Sequence, residues 1–173
     1  MSEDRKKVRA GERMDNERFE QLYSAYATDV LRVSYFYLAD RQKAEDVTQE
    51  VFLKLLTACP KLEPGREKAW LLTVAVNRCR DVWRASWTRR VILGSPRLEL
   101  EPDPDDLEER AENAELLRAV HSLPTQFRDA VLLHYYQGLG VNEIAEMLGV
   151  APGTVSSRLS RARDRLKDIL KGE

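Results

Sequence analysis

Apolar residues recur along this chain with the period of a helix, and no useful stretch alternates as a strand would. Phe19, Leu22, Tyr23, Tyr26 and Val30 fall at the i, i+3, i+4, i+7 spacing of one helical face, which predicts a first helix over about 16–38. Asp40 suits an N-cap, after which Ala44, Val47, Thr48, Val51, Phe52 and Leu55 repeat the period as far as Pro60, where a missing backbone donor stops the helix. Residues 59–65, Cys-Pro-Lys-Leu-Glu-Pro-Gly, have the chemistry of an irregular loop. From Lys68 to about Trp87, Leu72, Ala75, Val76, Cys79, Val82 and Trp83 share one face, with Arg78, Arg80 and Arg84 distributed around the helix. Three helices thus form a first domain over 16–90, behind a tail over 1–15.

The pattern then breaks. Residues 95–108 hold three prolines and dense acid, too little apolar surface to offset the entropy of ordering, so 91–110 reads as a linker. Helical periodicity resumes with Leu116, Leu117 and Val120, then with Phe127, Ala130, Val131 and His134. Val141, Ile144, Ala145 and Leu148 follow, and finally Val155, Leu159, Ala162, Leu166 and Ile169. The expected architecture is all-α: two small helical domains, of three helices and of four (111–173), joined by an acidic flexible linker. A length of 173 residues accommodates two domains of that size.

Charge changes the picture only once it is placed along the chain. The 28 Lys and Arg nearly cancel the 29 Asp and Glu, which looks wrong for a nucleic-acid binder. Yet Glu99 to Glu115 carries acid against a single Arg110, and the C-terminal helix carries Arg158, Arg161, Arg163, Arg165 and Lys167. An acidic strap and a basic helix average to neutrality. Cys59 and Cys79 lack metal-ligand or disulfide spacing, and His121 and His134 have no ligand partners at coordination spacing, so no metal or cofactor is expected. Met1 to Arg13 is of mixed charge, without a hydrophobic signal region or any span long enough for a membrane, and a cytoplasmic chain is expected.

The most informative segment is Asn142 to Leu159, Asn-Glu-Ile-Ala-Glu-Met-Leu-Gly-Val-Ala-Pro-Gly-Thr-Val-Ser-Ser-Arg-Leu, laid out as a helix-turn-helix. Ala145 is small where two helices approach, and Gly149 can take the positive φ that the turn requires. Ile144, Leu148, Val150 and Val155 supply the apolar wedge between the helices. Pro152 suits the first helical position, although Ala151 before it offers no side-chain cap. Beyond it, Val155, Leu159, Ala162 and Leu166 face inward. Thr154, Ser156, Ser157, Arg158, Ser160, Arg161, Arg163 and Arg165 carry the donors that bind phosphates and base edges.

These residues carry a resemblance. Leu123-Pro124, Phe127 to Leu133, Tyr136 with Gly138, Asn142 to Ala145, Leu148-Gly149 and Gly153 to Arg163 resemble the fourth conserved region of extracytoplasmic-function (ECF) sigma factors. Phe19 to Arg84 resemble the second region, including Ala44 to Phe52 and Ala69 to Arg78. The resemblance implies a specificity subunit of bacterial RNA polymerase: the first domain opens and reads the minus-ten promoter element, the second reads the minus-thirty-five element, and both hold the polymerase core. It assigns Asp46, Gln49 and Glu50 to the clamp helices of the largest polymerase subunit, and adds the flap to the polymerase surfaces met. The loop from Cys59 to Glu67 would capture a flipped base, with Arg66, Lys68, Trp70, Asn77, Arg78 and Arg80 as candidate minus-ten residues. Asn77 is carried over from the family pattern alone. Helical aromatics usually serve the core, so Trp70, Trp83 and Trp87 read as packing residues as well as stacking candidates.

The resemblance also implies an anti-sigma factor, membrane-linked, as inhibitor, and a linker that passes through the polymerase cleft; by composition alone the same linker is a solubilising spacer. The contrasting class is a stand-alone helix-turn-helix regulator, which would need a sensor or dimer domain in place of the first domain. An enzyme is not expected: no carboxylate cluster or His constellation accompanies the basic helix, and no small-molecule substrate is indicated.

Overall fold

A computed structural model describes residues 14–93 and 110–172. The tail before Met14 and the acidic strap lie outside the described residues, as does the side chain of Trp87. Seven α-helices are present among the described residues: α1 (Asn16–Leu38), α2 (Arg41–Ala58), α3 (Glu67–Leu93), α4 (Arg110–Ser122), α5 (Thr125–Val131), α6 (Val141–Leu148) and α7 (Pro152–Lys171). The expected all-α, three-plus-four arrangement is the observed one.

The first three helices pack on one another through the faces their periodicity marks. Val30, Val33 and Tyr37 of α1, Val47, Val51 and Leu55 of α2, and Leu71, Leu72, Ala75 and Cys79 of α3 are almost wholly withdrawn from solvent. Truncating any one of the large aliphatic residues here would cost about 2–5 kcal/mol. The joints are built locally. Ala39 closes α1 in the left-handed region at φ 51°, and the Asp40 side chain then accepts the Lys43 N–H at 3.0 Å to start α2. Helix α3 continues past Trp87 to Leu93, so the domain boundary read at residue 90 falls inside it. Val91-Ile92-Leu93 contains nothing that stops a helix, and Gly94 is the first residue that does.

In the second domain α5 widens at its end into one π turn, Leu132–Tyr136, in which the Gln137 N–H reaches the Leu132 carbonyl at 3.1 Å. Helix α6 is capped by Glu143, whose carboxylate accepts the Gly140 N–H at 2.7 Å. Gly149 makes the turn into α7 at φ 66°, a conformation that costs a residue with a Cβ. Ile144, Ala145, Val155, Leu159 and Ala162 are buried between α5, α6 and α7.

The two domains also touch. Phe36 of α1 packs against Tyr136 of the π turn with ring centroids 4.0 Å apart, and α3 lies against α6. Sequence periodicity predicts the domains but contains no sign of this contact.

Candidate nucleic-acid interface

Helix α7 presents two chemically distinct sides. Val155, Leu159 and Ala162 are buried, while Thr154, Ser156, Ser157, Ser160, Arg161, Arg163 and Arg165 are exposed and Arg158 is half-buried. Pro152 is at the start of the helix, and Ala151 at the cap position makes no side-chain bond, as its sequence requires. The first turn is closed by its own backbone, with the Thr154 and Val155 N–H groups donating to the Ala151 carbonyl at 3.0 and 3.3 Å, so the exposed hydroxyls of Thr154, Ser156 and Ser157 are the donors it offers to phosphate or base acceptors. Two of the arginines are oriented by neighbours. Arg163 donates to the Tyr135 hydroxyl at 2.9 Å, and the Arg165 guanidinium lies 5.3 Å from the centre of the Phe127 ring. Arg161 extends from the same exposed surface closer to the helix start.

The six minus-ten candidates separate into a stripe and two flanks. Trp70, Asn77 and Arg80 share one side of α3, and Arg66, the residue before its start whose carbonyl accepts the Trp70 N–H at 3.1 Å, continues that side. Arg80 and Asn77 are joined by a 3.5 Å bond. Trp70 is half-buried and packs against the core, the packing role that helical aromatics favour. Lys68 turns toward α1, 3.2 Å from Asp29, and Arg78 turns toward α2, where it pairs with Glu50. The loop leading into α3 is held by Glu67, a buried carboxylate that accepts the Gly65 N–H at 2.8 Å and a bond from Arg18. Its own backbone N–H, the Gly65 N–H and Arg18 together hold its pKa below the usual carboxylate range, against the opposing effect of burial. Glu67 and Arg18 carry no periodic or motif signal; an acid at a helix start, two residues after Pro64-Gly65, is the only hint.

On α2, Asp46, Gln49 and Glu50 are exposed, and Val47, Thr48 and Val51 beside them are buried. The face is open to solvent, although Glu50 is engaged by Arg78 and Asp46 accepts a bond from Gln42 at 3.3 Å.

A further polar cluster joins the domains. Asp129 of α5 is buried completely, and it accepts the Tyr37 hydroxyl at 2.8 Å and a bond from Arg80. Burial, then the Asp129 charge and hydrogen bond, push the Tyr37 hydroxyl far above the ordinary tyrosine range. Burial works against the Arg80 charge, but the Asp129 bond and charge outweigh it and raise its pKa. The adjacent Arg128, also buried, donates to the carbonyls of His121 at 2.9 Å and Leu123 at 3.0 Å. It lies 4.3 Å from the Trp83 ring centre. His121 bonds the Phe36 carbonyl through Nε2 and stands edge-on to Trp83. At the other end of the contact Arg66 pairs with Glu146 of α6. None of this is visible in the periodicity, although an Arg-Asp pair inside the apolar run Phe127–Leu133 is an anomaly that could have marked it.

Comparison with known proteins agrees with this division of the chain. Residues 22–89 match Sigma-70 region 2, and residues 113–166 match Sigma-70, region 4. The chain is 33% identical to the ECF RNA polymerase sigma factor SigE of Mycolicibacterium smegmatis over 157 residues, 88% of this chain and 61% of that protein. It therefore spans about six tenths of that relative's length. It is 32% identical to the ECF RNA polymerase sigma factor SigL of Mycobacterium tuberculosis, covering 87% of each. The fold is that of the sigma factor RpoE in its co-crystal structure with the anti-sigma factor NepR from Bartonella quintana. The TM-score is 0.70, at 24% identity, over 90% of this chain and 98% of that one.

Proposed function

The chain belongs to the ECF sigma factors of the sigma-70 family, and on that premise we propose that it binds the bacterial RNA polymerase core and directs initiation at a specific set of promoters. The observation that carries this is the pairing of two DNA-suited surfaces in one chain: the exposed Ser/Arg side of α7 and the Arg66–Arg80 stripe of α3. A helix-turn-helix regulator needs only the first.

The residue roles follow from placement. Thr154, Ser156, Ser157, Ser160 and Arg161, near the start of α7, read base edges of the minus-thirty-five element, while Arg158, Arg163 and Arg165 bind the backbone. Arg66, Trp70, Asn77 and Arg80, flanked by Lys68 and Arg78, engage the opened minus-ten element. Asp46, Gln49 and Glu50 hold the clamp helices, leaving α7 for the flap side of the polymerase and upstream DNA. The chain makes no bonds itself; nucleotide joining belongs to the polymerase. In this reading an anti-sigma factor, anchored in a membrane, meets and inhibits the chain in the cytoplasm; RpoE, whose fold this chain shares, is itself in complex with the anti-sigma factor NepR. The acidic linker, between the end of α3 at Leu93 and the start of α4 at Arg110, runs through the polymerase cleft.

The test is transcription from a defined promoter by core polymerase with and without the purified chain. Transcripts from a single start, dependent on the chain, are expected. Sequence-specific DNA binding by the free chain with no gain in initiation would favour the stand-alone regulator.

A further inference from the structure

The start of α3 is tied to α1 by two ion pairs. Arg18 donates to Glu67, and the Lys68 ammonium lies 3.2 Å from Asp29. Arg18 and Asp29 are about three helical turns apart and so lie on one side of α1. Only the first pair reaches into the interior: the Glu67 side chain is 7% exposed, against 30% for Asp29.

A buried carboxylate costs stability unless its oxygens are bonded, and an apolar side chain of similar size would serve packing as well or better. What the acid does here that an apolar residue could not is fix a backbone group. Its Oε2 accepts the Gly65 N–H at 2.8 Å, and its Oε1 accepts from Arg18. Gly65 is the third residue of a four-residue turn in which the Glu63 carbonyl accepts the Arg66 N–H at 3.0 Å across Pro64-Gly65, with Gly65 at φ 86°. The Arg66 carbonyl then accepts the Trp70 N–H at 3.1 Å and starts α3. Glu67 therefore sets the peptide plane between Pro64 and Gly65, and Arg18 sets Glu67.

Resting on the reading of residues 59–67 as the loop that takes an extruded minus-ten base, we infer that Glu67 and Arg18 are positioning residues for that base: together they hold the loop in the one conformation whose groups meet it. Neither touches DNA in this arrangement. A base pocket discriminates by where its polar groups stand, within fractions of an ångström, whereas its general attraction for a strand comes from charge. Releasing the Gly65 N–H from a fixed acceptor thus relaxes which base is taken more than it lowers how much DNA is bound.

The test uses holoenzyme assembled from core polymerase and the full-length chain, unaltered or carrying Arg18→Ala, Arg18→Lys, Glu67→Gln, or Arg18→Ala with Glu67→Gln. Initiation rates are measured on templates derived from one promoter the holoenzyme uses, each changed at a single minus-ten position, with core affinity and the thermal transition measured alongside. Arg18→Ala should reduce the base preference at one extruded position about tenfold, the order of effect of one charge-assisted hydrogen bond, with preferences elsewhere and core affinity unchanged. Arg18→Lys, which keeps the charge, should recover part of the preference. The double variant should be no worse than the more affected single one, since both act through one ion pair. A preference that survives Arg18→Ala would overturn the inference, and so would equal loss on every template, which is what a merely structural role would give. Should Glu67→Gln fail to fold, the Arg18 variants decide alone, because that side chain is half exposed and lies outside the loop. Failure of the underlying reading looks different: a photo-crosslinking base placed at each minus-ten position in turn would then attach to the unaltered chain only outside residues 59–67.

Discussion

Arg78 on α3 donates to both carboxylate oxygens of Glu50 on α2, the longer bond measuring 3.1 Å, so a minus-ten candidate and a core-binding candidate share one ion pair. Both side chains are nearly half exposed, which limits the pair's own stabilisation to about 1 kcal/mol or less. Its interest is that polymerase binding at Glu50 would release Arg78. Charge reversal, Asp46→Lys with Glu50→Lys, is expected to weaken core binding at least tenfold while leaving upstream-element binding by α7 unchanged. Titration of core with the labelled chain checks the first, and unchanged core affinity would sink the assignment of this face.

Arg161 and Arg165 lie on one helix but are predicted to behave differently. Arg161→Ala should cost about 1–3 kcal/mol at the preferred upstream element and relax choice at one base position, as loss of a bidentate base contact does. Arg165→Ala, beside the Phe127 ring, should weaken binding about equally across sequences and make the salt slope shallower by about one unit. Equal loss on matched and scrambled elements for Arg161→Ala would remove it from the base-reading set.

Limited proteolysis should cut first within 94–109, where three prolines and a run of acids offer neither apolar periodicity nor turn closure. The two fragments should then elute together at moderate salt, held by the Tyr37–Asp129 and Phe36–Tyr136 contacts, and separate when Tyr37→Phe is introduced and salt is raised. First cleavage inside α1 to α3 would contradict the domain boundary.

The two cysteines should differ sharply toward a thiol reagent. Cys79 is buried in the first core, and burial pushes its thiol up to about 12 from an ordinary 9.0. A raised folded pKa contributes stability that is complete below the unfolded value and lost as pH rises through the folded one. Alkali should therefore begin to destabilise the first domain above pH 9, and at neutral pH only Cys59, half-buried just after α2, should label. Mass spectrometry of the native protein after brief alkylation reads this directly; modification of Cys79 at the rate of Cys59 would show that the core opens locally.

Ala151 occupies the N-cap of α7 with extended φ and ψ of −70° and 147° and makes no side-chain bond. Ala151→Ser should supply that bond without strain and raise the unfolding free energy of the second domain by about 0.5–1 kcal/mol, measured by urea titration. No gain would mean that the first turn is already satisfied by solvent.

Much of this molecule is legible in its sequence, and the reason is local. Val47, Val51 and Leu55, or Val155, Leu159 and Ala162, announce a buried face because their spacing is that of the helix they form. Gly149 and Pro152 announce a turn and a helix start through backbone preference alone. The contact between domains has no such signature. Tyr37 and Asp129 are 92 residues apart, Tyr37 simply continues the apolar face of Val30 and Val33, Glu146 looks like an ordinary solvated acid, and the anomaly of Arg128-Asp129 within an apolar run does not say which residues it meets. The capture of Arg66 and Arg80 follows only from tertiary placement, which is why residues chosen as DNA ligands turned out to hold carboxylates.

The π turn at Leu132–Tyr136 makes the two adjacent tyrosines diverge: Tyr135 meets Arg163 on the recognition helix, and Tyr136 meets Phe36 across the domain contact. That one wide turn is a rotational register. Deleting a single residue from it would restore the pitch of an ordinary helix and turn everything beyond it by about 100° relative to α5, so one tyrosine or the other would lose its partner. Length at this point should therefore be far less tolerant of change than side-chain identity.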